Sequence, residues 1–507
     1  MASARALKRA SVGGGGGGGF RAAVDGMVGP RMASTIVTRR AVMVSTAELR
    51  ENGGEIERKG GAQKLEEEDD VAPRAAYVHI PFCKRRCFYC DFPIHVVGSA
   101  RSTSAKTMQA EYVDLLLREI RVCAAKRKRR NGRQQQHGTK KLTSVFFGGG
   151  TPSLLPATEL SRIVDGLRDA FGLMDGAEIS IEADPGTFDA DTVAEWARIA
   201  KISRVSVGIQ SFDDKLLQSC GRSHDAAQAR RAAETLAHGV DGITSWSLDL
   251  LSGLPGLDAA GWERTLRMML SYRPPHVSIY DLQVESGTAF GKWYEPGLSP
   301  LPSDDDAADM FRRTSALMLD AGYQHYEISS FARTGHMCAH NLTYWRNERF
   351  LGFGVGATSF EANARVARPR TIGEYKIWLD AYEAETADEN TAKGAETDAA
   401  NSFVDELICR TRLREPYHIE DAIKRVYGRD VWHQLGPMLS EFEARGLVEC
   451  TPHENEHGST TTAIRLTDPE GFLLSNEVLS SILTVLPDDD DDINDDDVRN
   501  DATHDAL

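Results

Sequence analysis

Tyr77–Phe92 reads YVHIPFCKRRCFYCDF. Two signals meet in this stretch. Its first half, with the alanines before it, is an apolar, β-branched run (75–81, AAYVHIP) of the kind that forms a buried strand and ends at proline. Its second half sets Cys83, Cys87 and Cys90 in CxxxCxxC spacing on the loop that leaves the strand. Three thiolates on one loop can each ligate one iron of a [4Fe–4S] cube. The fourth iron is then open to a small bidentate ligand, such as the amine and carboxylate of S-adenosylmethionine. Thiolates suit zinc as well as iron–sulfur. A structural zinc site would need a fourth ligand, and His79 and His95 are nearest in sequence. Phe82, Phe88 and Tyr89 flank the thiolates, where aromatics can exclude water or stack on an adenine.

Outward from this loop the buried-strand pattern recurs at 144–147, 179–182, 205–209, 247–251 and 277–280. Helical spacing fills the intervals at 108–124, 159–171, 191–199, 226–238 and 260–271. Six strands alternating with helices predict a parallel sheet with helices outside. Such sheets carry functional residues at the C-terminal ends of their strands, and the polar motifs fall there. Gly148-Gly149-Gly150-Thr151-Pro152 closes the second strand, where glycine lets backbone approach a ligand and freed N–H groups can meet a carboxylate. Glu182 ends the third strand in EADP, and Gln210 ends the fourth in GIQSF. Arg222 follows in GRSH, and Asp249 lies in the fifth within DLLSGLPG. One edge carrying these four groups could read a sugar, an ammonium and a carboxylate.

The strand rhythm is expected to stop after Phe360. Residues 387–401 read as a linker, followed by helices at 404–412, 419–426 and 431–444 and a hairpin from 447–450 and 463–466. The fold class expected is α/β: a partial (βα)6 barrel, residues 74–300, with a core extension over 301–386. A small winged-helix-like C-terminal domain follows over 402–485.

Composition narrows the function. Apolar residues make up 41% of the 507, enough for a packed core, and a net charge of −16 argues against nucleic acid as partner. Eight cysteines are too few for a disulfide scaffold, so the clustered three point to metal in a reducing compartment. There is no apolar run long enough to predict a membrane-spanning helix. The ends differ in charge. Residues 1–42 hold seven basic side chains, one acid and the glycine run 13–19, the composition of an organellar transit peptide, and 43–73 read as a charged linker. Residues 486–507 carry ten Asp against Arg499 alone and are expected to be a solvated, disordered tail. The insert KRKRRNGRQQQHGTKK at 126–141 reads as a basic surface loop.

Taken in order, YVHIPFCKRRCFYCDF, FFGGGTPS, EADPG, VGIQSF, GRSH and DLLSGLPG resemble the radical SAM family, in the branch that holds oxygen-independent coproporphyrinogen III oxidase and HemW. The likeness runs from about Ala75 to about Leu483. The oxidases carry a fourth cysteine two residues after the third; here Phe92 stands there. His340-Asn341-Leu342-Thr343-Tyr344-Trp345 matches the HNxxYW motif of HemW, a haem chaperone. The resemblance therefore implies a [4Fe–4S] cluster on the three cysteines, S-adenosylmethionine and haem as cofactors. It implies delivery of haem to haem proteins, an electron donor, and monomer–homodimer exchange. By resemblance Tyr77 and Tyr89 line the S-adenosylmethionine site, with Gly149, Gly150, Thr151 and Glu182 at its methionine part. Gln210, Arg222 and Asp249 match a second pocket, and His340, Asn341, Tyr344 and Trp345 are expected to meet haem. An imidazole can ligate haem iron and aromatics can line a porphyrin face. Cys338 is a further thiol in reach of such a site, and glycines 352–356 could let backbone pack near a ligand. The alternative the resemblance leaves is an oxidase-like enzyme that cleaves S-adenosylmethionine and acts on a tetrapyrrole propionate. The location implied is mitochondrion or plastid, or the cytoplasm if 1–73 is not a presequence.

Overall fold

The computed structural model describes residues 72–98, 102–131, 141–361, 364–387, 399–454 and 458–487. The expected leader, residues 132–140 of the basic insert, residues 388–398 of the expected linker and residues 488–507 of the expected tail lie outside these residues.

Six parallel strands run in sequence order: β1 (Ala75–Ile80), β2 (Leu142–Gly149), β3 (Leu173–Ala183), β4 (Arg204–Gln210), β5 (Ser245–Ser252) and β6 (His276–Asp281). Between them lie α1 (Thr103–Asn131), α2 (Ala157–Phe171), α3 (Ala190–Ile199), α4 (Ala226–Ala237) and α5 (Ala259–Ser271). This is the partial (βα)6 barrel read from the sequence. The register sets Ile80 beside Gly149, Gly208 beside Asp249, and Asp249 beside Ser278.

The strands alternate in a way that positions the site. Ile179, Ile181, Val205, Val207, Leu248, Leu250 and Val277 turn to the helices and are buried in the main core. Their neighbours on the other face are polar: Glu178, Ser180 and Glu182; Arg204 and Ser206; Ser247 and Asp249; His276 and Ser278. Ser180, Arg204, Ser206, Ser247, His276 and Ser278 are all buried. The barrel thus has an apolar outer wall and a polar lumen.

After α6 (Asp304–Asp320) come the short strands β7 (Gln324–Glu327) and β8 (Ser330–Ala332), and β8 joins β6 antiparallel. α7 (Ala339–Trp345) follows. β9 (Phe350–Phe353) then pairs parallel with the free side of β1, and β10 (Thr358–Glu361) and β11 (Ala364–Ala367) complete eleven strands. One strand therefore lies beyond Phe360, against the expectation. β7–β11 have three or four residues each, too few for a period to register.

α1 is longer than read, because Lys126–Asn131 extend it instead of opening a loop. Lys and Arg are good helix formers, and cations are favourable at a helix C-terminus. α8 (Ile372–Ala387) lies against α1. The C-terminal part has the expected order: α9 (Ala399–Arg410), α10 (Ile419–Tyr427), α11 (Arg429–Ala444), then the hairpin β12 (Val448–Glu454) and β13 (Thr460–Leu466). A short helix, Glu470–Leu473, and α12 (Ser475–Val485) close it and were not expected. Phe403, Leu407, Ile423, Leu435, Phe442 and Ile482 make its own core. No described helix is long and apolar enough to cross a membrane.

Candidate functional site

The cysteine loop leaves β1 at the C-terminal edge of the barrel. Cys83 ends the two-residue strand Phe82–Cys83, which pairs with His95–Val96. The loop is held by backbone bonds from outside itself. Phe88 N–H donates to Cys220 O (3.0 Å), and Phe290 N–H donates to Phe88 O (3.0 Å). Phe88 meets Trp293 edge to face at 4.9 Å. All three thiols are free, Cys83 buried and the other two half-buried. Burial pushes the Cys83 thiol up to about 12 and the Cys90 thiol up to about 11. Cys83 Sγ also lies 3.4 Å from Thr151 Oγ1. Among the described residues no three His, Cys, Asp or Glu side chains converge on a single-ion site. His79 is buried under the loop with both ring nitrogens engaged: Nε2 with Pro93 O (2.9 Å) and Nδ1 with Tyr77 OH (3.1 Å). Burial lowers it to about 4, so the ring is neutral at physiological pH. It holds the loop base and is not placed as a fourth ligand.

Arg222 reaches this loop. Its Nη1 lies 3.6 Å from Cys87 Sγ and 3.2 Å from Tyr89 OH. Its Nη2 donates to Asp184 Oδ2 (2.7 Å) and Gly208 O (2.8 Å). The guanidinium thus brings a fixed positive charge to the sulfur of Cys87. Three free thiols on a clamped loop, with a cation beside one of them, fit an iron–sulfur cluster.

The glycine turn packs tightly on the loop. Gly150 N–H donates to Ile80 O (2.8 Å), and a Cβ there would come 2.8 Å from the Pro81 and Phe82 backbone. Gly149 N–H donates to Glu182 Oε2 (3.0 Å). Burial, with Asp249 adding to it, pushes the Glu182 carboxyl up to about 8. Tyr77, Tyr89, Gly149, Gly150, Thr151 and Glu182 therefore do gather at one edge.

The second-pocket trio is only partly together. Gly208 has Gln210 Nε2 and Arg222 Nη2 within 3.2 Å of where its Cβ would be, and Asp249 pairs with it across the sheet. But Arg222 turns to Cys87 and Asp184. Asp249 is held from the lumen side by Ser206 Oγ (2.9 Å) and Ser247 Oγ (2.9 Å). Burial raises its carboxyl as well. Sequence reading missed Asp184 and this serine cradle. The period-two polar alternation within β3–β6 was the signal that could have found the cradle.

The HNLTYW segment is α7, and the fold places it at the opposite, N-terminal end of the lumen. His340 is fully buried. Its Nδ1 is 3.0 Å from Ser144 Oγ and its Nε2 is 2.7 Å from Tyr344 OH, and its ring stacks on Phe146 at 5.2 Å. Burial lowers it to about 3. Trp345 is buried against Arg412, and Asn341 is half-buried. Neither ring nitrogen of His340 is available to an iron in this arrangement, so the expected haem residues do not fit haem ligation as they stand. Cys338 is fully buried, and burial pushes its thiol up to about 12. Gly352 and Gly354 pack in the sheet: Gly352 pairs with Tyr77, and Gly354 N–H donates to Glu119 Oε2 (2.9 Å).

Comparison with known proteins agrees with the fold and the loop. Residues 77–269 match the radical SAM superfamily model. A haem chaperone HemW from Synechocystis sp. is 37% identical over 83% of this chain and 98% of its own length. HemW of Escherichia coli is 38% identical over 57% of this chain and 70% of its own. The mitochondrial radical S-adenosyl methionine domain-containing protein 1 of Bos taurus is 34% identical over 56% of this chain and 60% of its own. Among solved structures, coproporphyrinogen III oxidase (HemN) from Escherichia coli superposes with a TM-score of 0.62 and 22% identity, over 82% of this chain and 91% of that one. That likeness is one of fold. With the near full-length identity to HemW, the chain belongs to the HemW family of the radical SAM superfamily.

Proposed function

We propose that this protein binds haem and hands it to recipient haem proteins. Its scaffold holds a [4Fe–4S] cluster through Cys83, Cys87 and Cys90. It holds S-adenosylmethionine through Tyr77, Tyr89, Gly149, Gly150, Thr151 and Glu182. The observation that carries the reading is the 37% identity to a haem chaperone along 98% of that relative's length. Phe92, where the oxidase branch has a fourth cysteine, supports it. Together, cluster and S-adenosylmethionine supply one-electron reductive chemistry. The chain's own contribution is positioning. The clamped loop presents three thiols, and Arg222 offsets their charge. The glycine turn admits a ligand's methionine end, and Glu182 lies there to accept from the N–H of its amine.

An electron donor and monomer–homodimer exchange belong to the same reading. The basic, acid-poor first 42 residues and the mitochondrial relatives support a nuclear-encoded organelle protein, in mitochondrion or plastid, with the cytoplasm as the alternative. A second reading, an oxygen-independent coproporphyrinogen III oxidase-like enzyme, draws on Gln210 and Arg222 meeting over Gly208. The test is anaerobic reconstitution, incubation with haem, and absorbance after desalting. Stoichiometric retention is expected. No retention overturns the carrier reading and turns the work to cleavage of S-adenosylmethionine with coproporphyrinogen III present.

A further inference from the structure

α7 has two faces, and both are occupied. On the barrel side its N-terminus is capped from β3. Glu178 accepts from Ala339 N–H (3.3 Å), His340 N–H (3.4 Å) and Cys338 Sγ (3.6 Å). A carboxylate there satisfies orphan donors and the positive end of the helix. His340 adds its bonds to Ser144 and Tyr344, and Tyr344 packs edge to face on Phe350 at 4.5 Å. Together these close the base of the lumen.

The other face belongs to the C-terminal part. The Arg412 guanidinium lies 4.3 Å over the Trp345 ring, while its Nη2 donates to Glu327 Oε2 (3.0 Å) and Ser329 Oγ (3.2 Å). Among the described residues Arg412 Nε and Nη1 are buried with no hydrogen-bond partner, so the indole face is what offsets their burial. Leu342 and Trp345 share a small core with Tyr326, Cys409 and Leu413. Backbone bonds run the same way: Ile328 N–H donates to Arg412 O (3.1 Å) and Arg414 N–H to Tyr326 O (3.0 Å). Arg346 pairs with Glu415 at the rim (2.5 Å).

We propose that HNLTYW is the joint that seats the C-terminal helices on the base of the barrel, and that bound haem takes its iron ligands from residues other than His340. His340 is on this view a positioning residue. Its second clause rests on the haem-carrier reading; its first does not.

The test uses the full-length chain. His340→Gln keeps a donor and an acceptor for Ser144 and Tyr344 but cannot replace imidazole on iron. It should bind haem with unchanged stoichiometry and with the ferric absorption and electron paramagnetic resonance spectra of the wild type. Trp345→Leu and Arg412→Met lie on the far face. Each should speed amide exchange at 339–346 and 407–414 together in haem-free protein, as His340→Ala should. A His340→Gln protein with the wild-type melting temperature but an altered ferric spectrum would overturn the second clause. Unchanged exchange in both far-face variants would overturn the first. If the wild type itself retains no haem, the carrier reading fails, and the exchange measurement still decides the joint.

Discussion

Arg222 and Cys87 are 135 residues apart in sequence, yet the guanidinium Nη1 lies 3.6 Å from the thiol sulfur. Asp184 and Gly208 O grip the other nitrogen, so the cation is fixed where it stands. The relationship links the GRSH motif to the cysteine loop, not to a separate pocket. It also sets the Arg222 charge beside a thiol that the proposed cluster would use.

Arg222→Met should lower the iron retained after anaerobic reconstitution and shift the reduction midpoint of the loaded protein to more negative values. Loss of a charged hydrogen bond is worth about 1.5–3 kcal/mol. At 59 mV per tenfold change for a one-electron couple, that sets an upper limit of about 60–130 mV on the shift. Potentiometric titration followed by electron paramagnetic resonance reads it. An unchanged midpoint with full iron would show that Arg222 serves only Asp184.

Glu182 gives a pH dependence of definite sign. Its folded-state pKa of about 8 lies above the roughly 4.3 of an unfolded Glu. Ionising it in the folded protein therefore costs stability, and unliganded protein should lose stability as pH rises from about 4.3 to about 8 and then level off. A ligand whose metal-bound amine donates N–H to the carboxylate favours the ionised form. S-adenosylmethionine affinity of cluster-loaded protein should therefore rise with pH up to about 8, with a proton released on binding. Calorimetry in buffers of different ionisation enthalpy measures that proton. Glu182→Gln should weaken binding and flatten the profile; a profile unchanged by it would remove Glu182 from the site.

Much of this was legible in advance, for identifiable reasons. β1–β6 were readable because one face of each meets helices, so residues such as Val205 and Val207 repeat at period two. The cysteine loop was readable from its spacing, and Gly149 and Glu182 from their place at strand ends. What stayed hidden depends on direction, not residue type. HNLTYW shows an imidazole but not that Ser144, 196 residues earlier, holds it. Nothing local to Glu178 says that it caps a helix 161 residues on. β7–β11 are held by their neighbours and carry too few residues to show a pattern of their own.

Behind the sheet, Glu119 is a fully buried carboxylate shared by three elements. It accepts from Arg368 Nε (2.9 Å), Gly354 N–H (2.9 Å) and Tyr375 OH (2.5 Å). Glu119→Ala would strand the buried Arg368 and cost about 3–5 kcal/mol. Glu119→Leu combined with Arg368→Met should recover most of that loss, since removing both charges leaves neither unpaired. Urea denaturation of the wild type and the two variants checks the order.

Gly149 is where local geometry and the site depend most on each other. Its φ of +113° lies in a region that side chains rarely enter, and a Cβ there would overlap the His79 ring. Gly149→Ala must therefore either relax the turn or push His79 off Pro93 O, the contact that ties the end of the cysteine loop to β1. The first route withdraws the N–H that Glu182 accepts; the second loosens the loop. Both should lower S-adenosylmethionine affinity, but only the second should also lower retained iron. Measuring both quantities on one preparation separates the routes. Wild-type values for both would mean that the glycine turn tolerates a side chain, and that its place at the site is not set by close backbone approach.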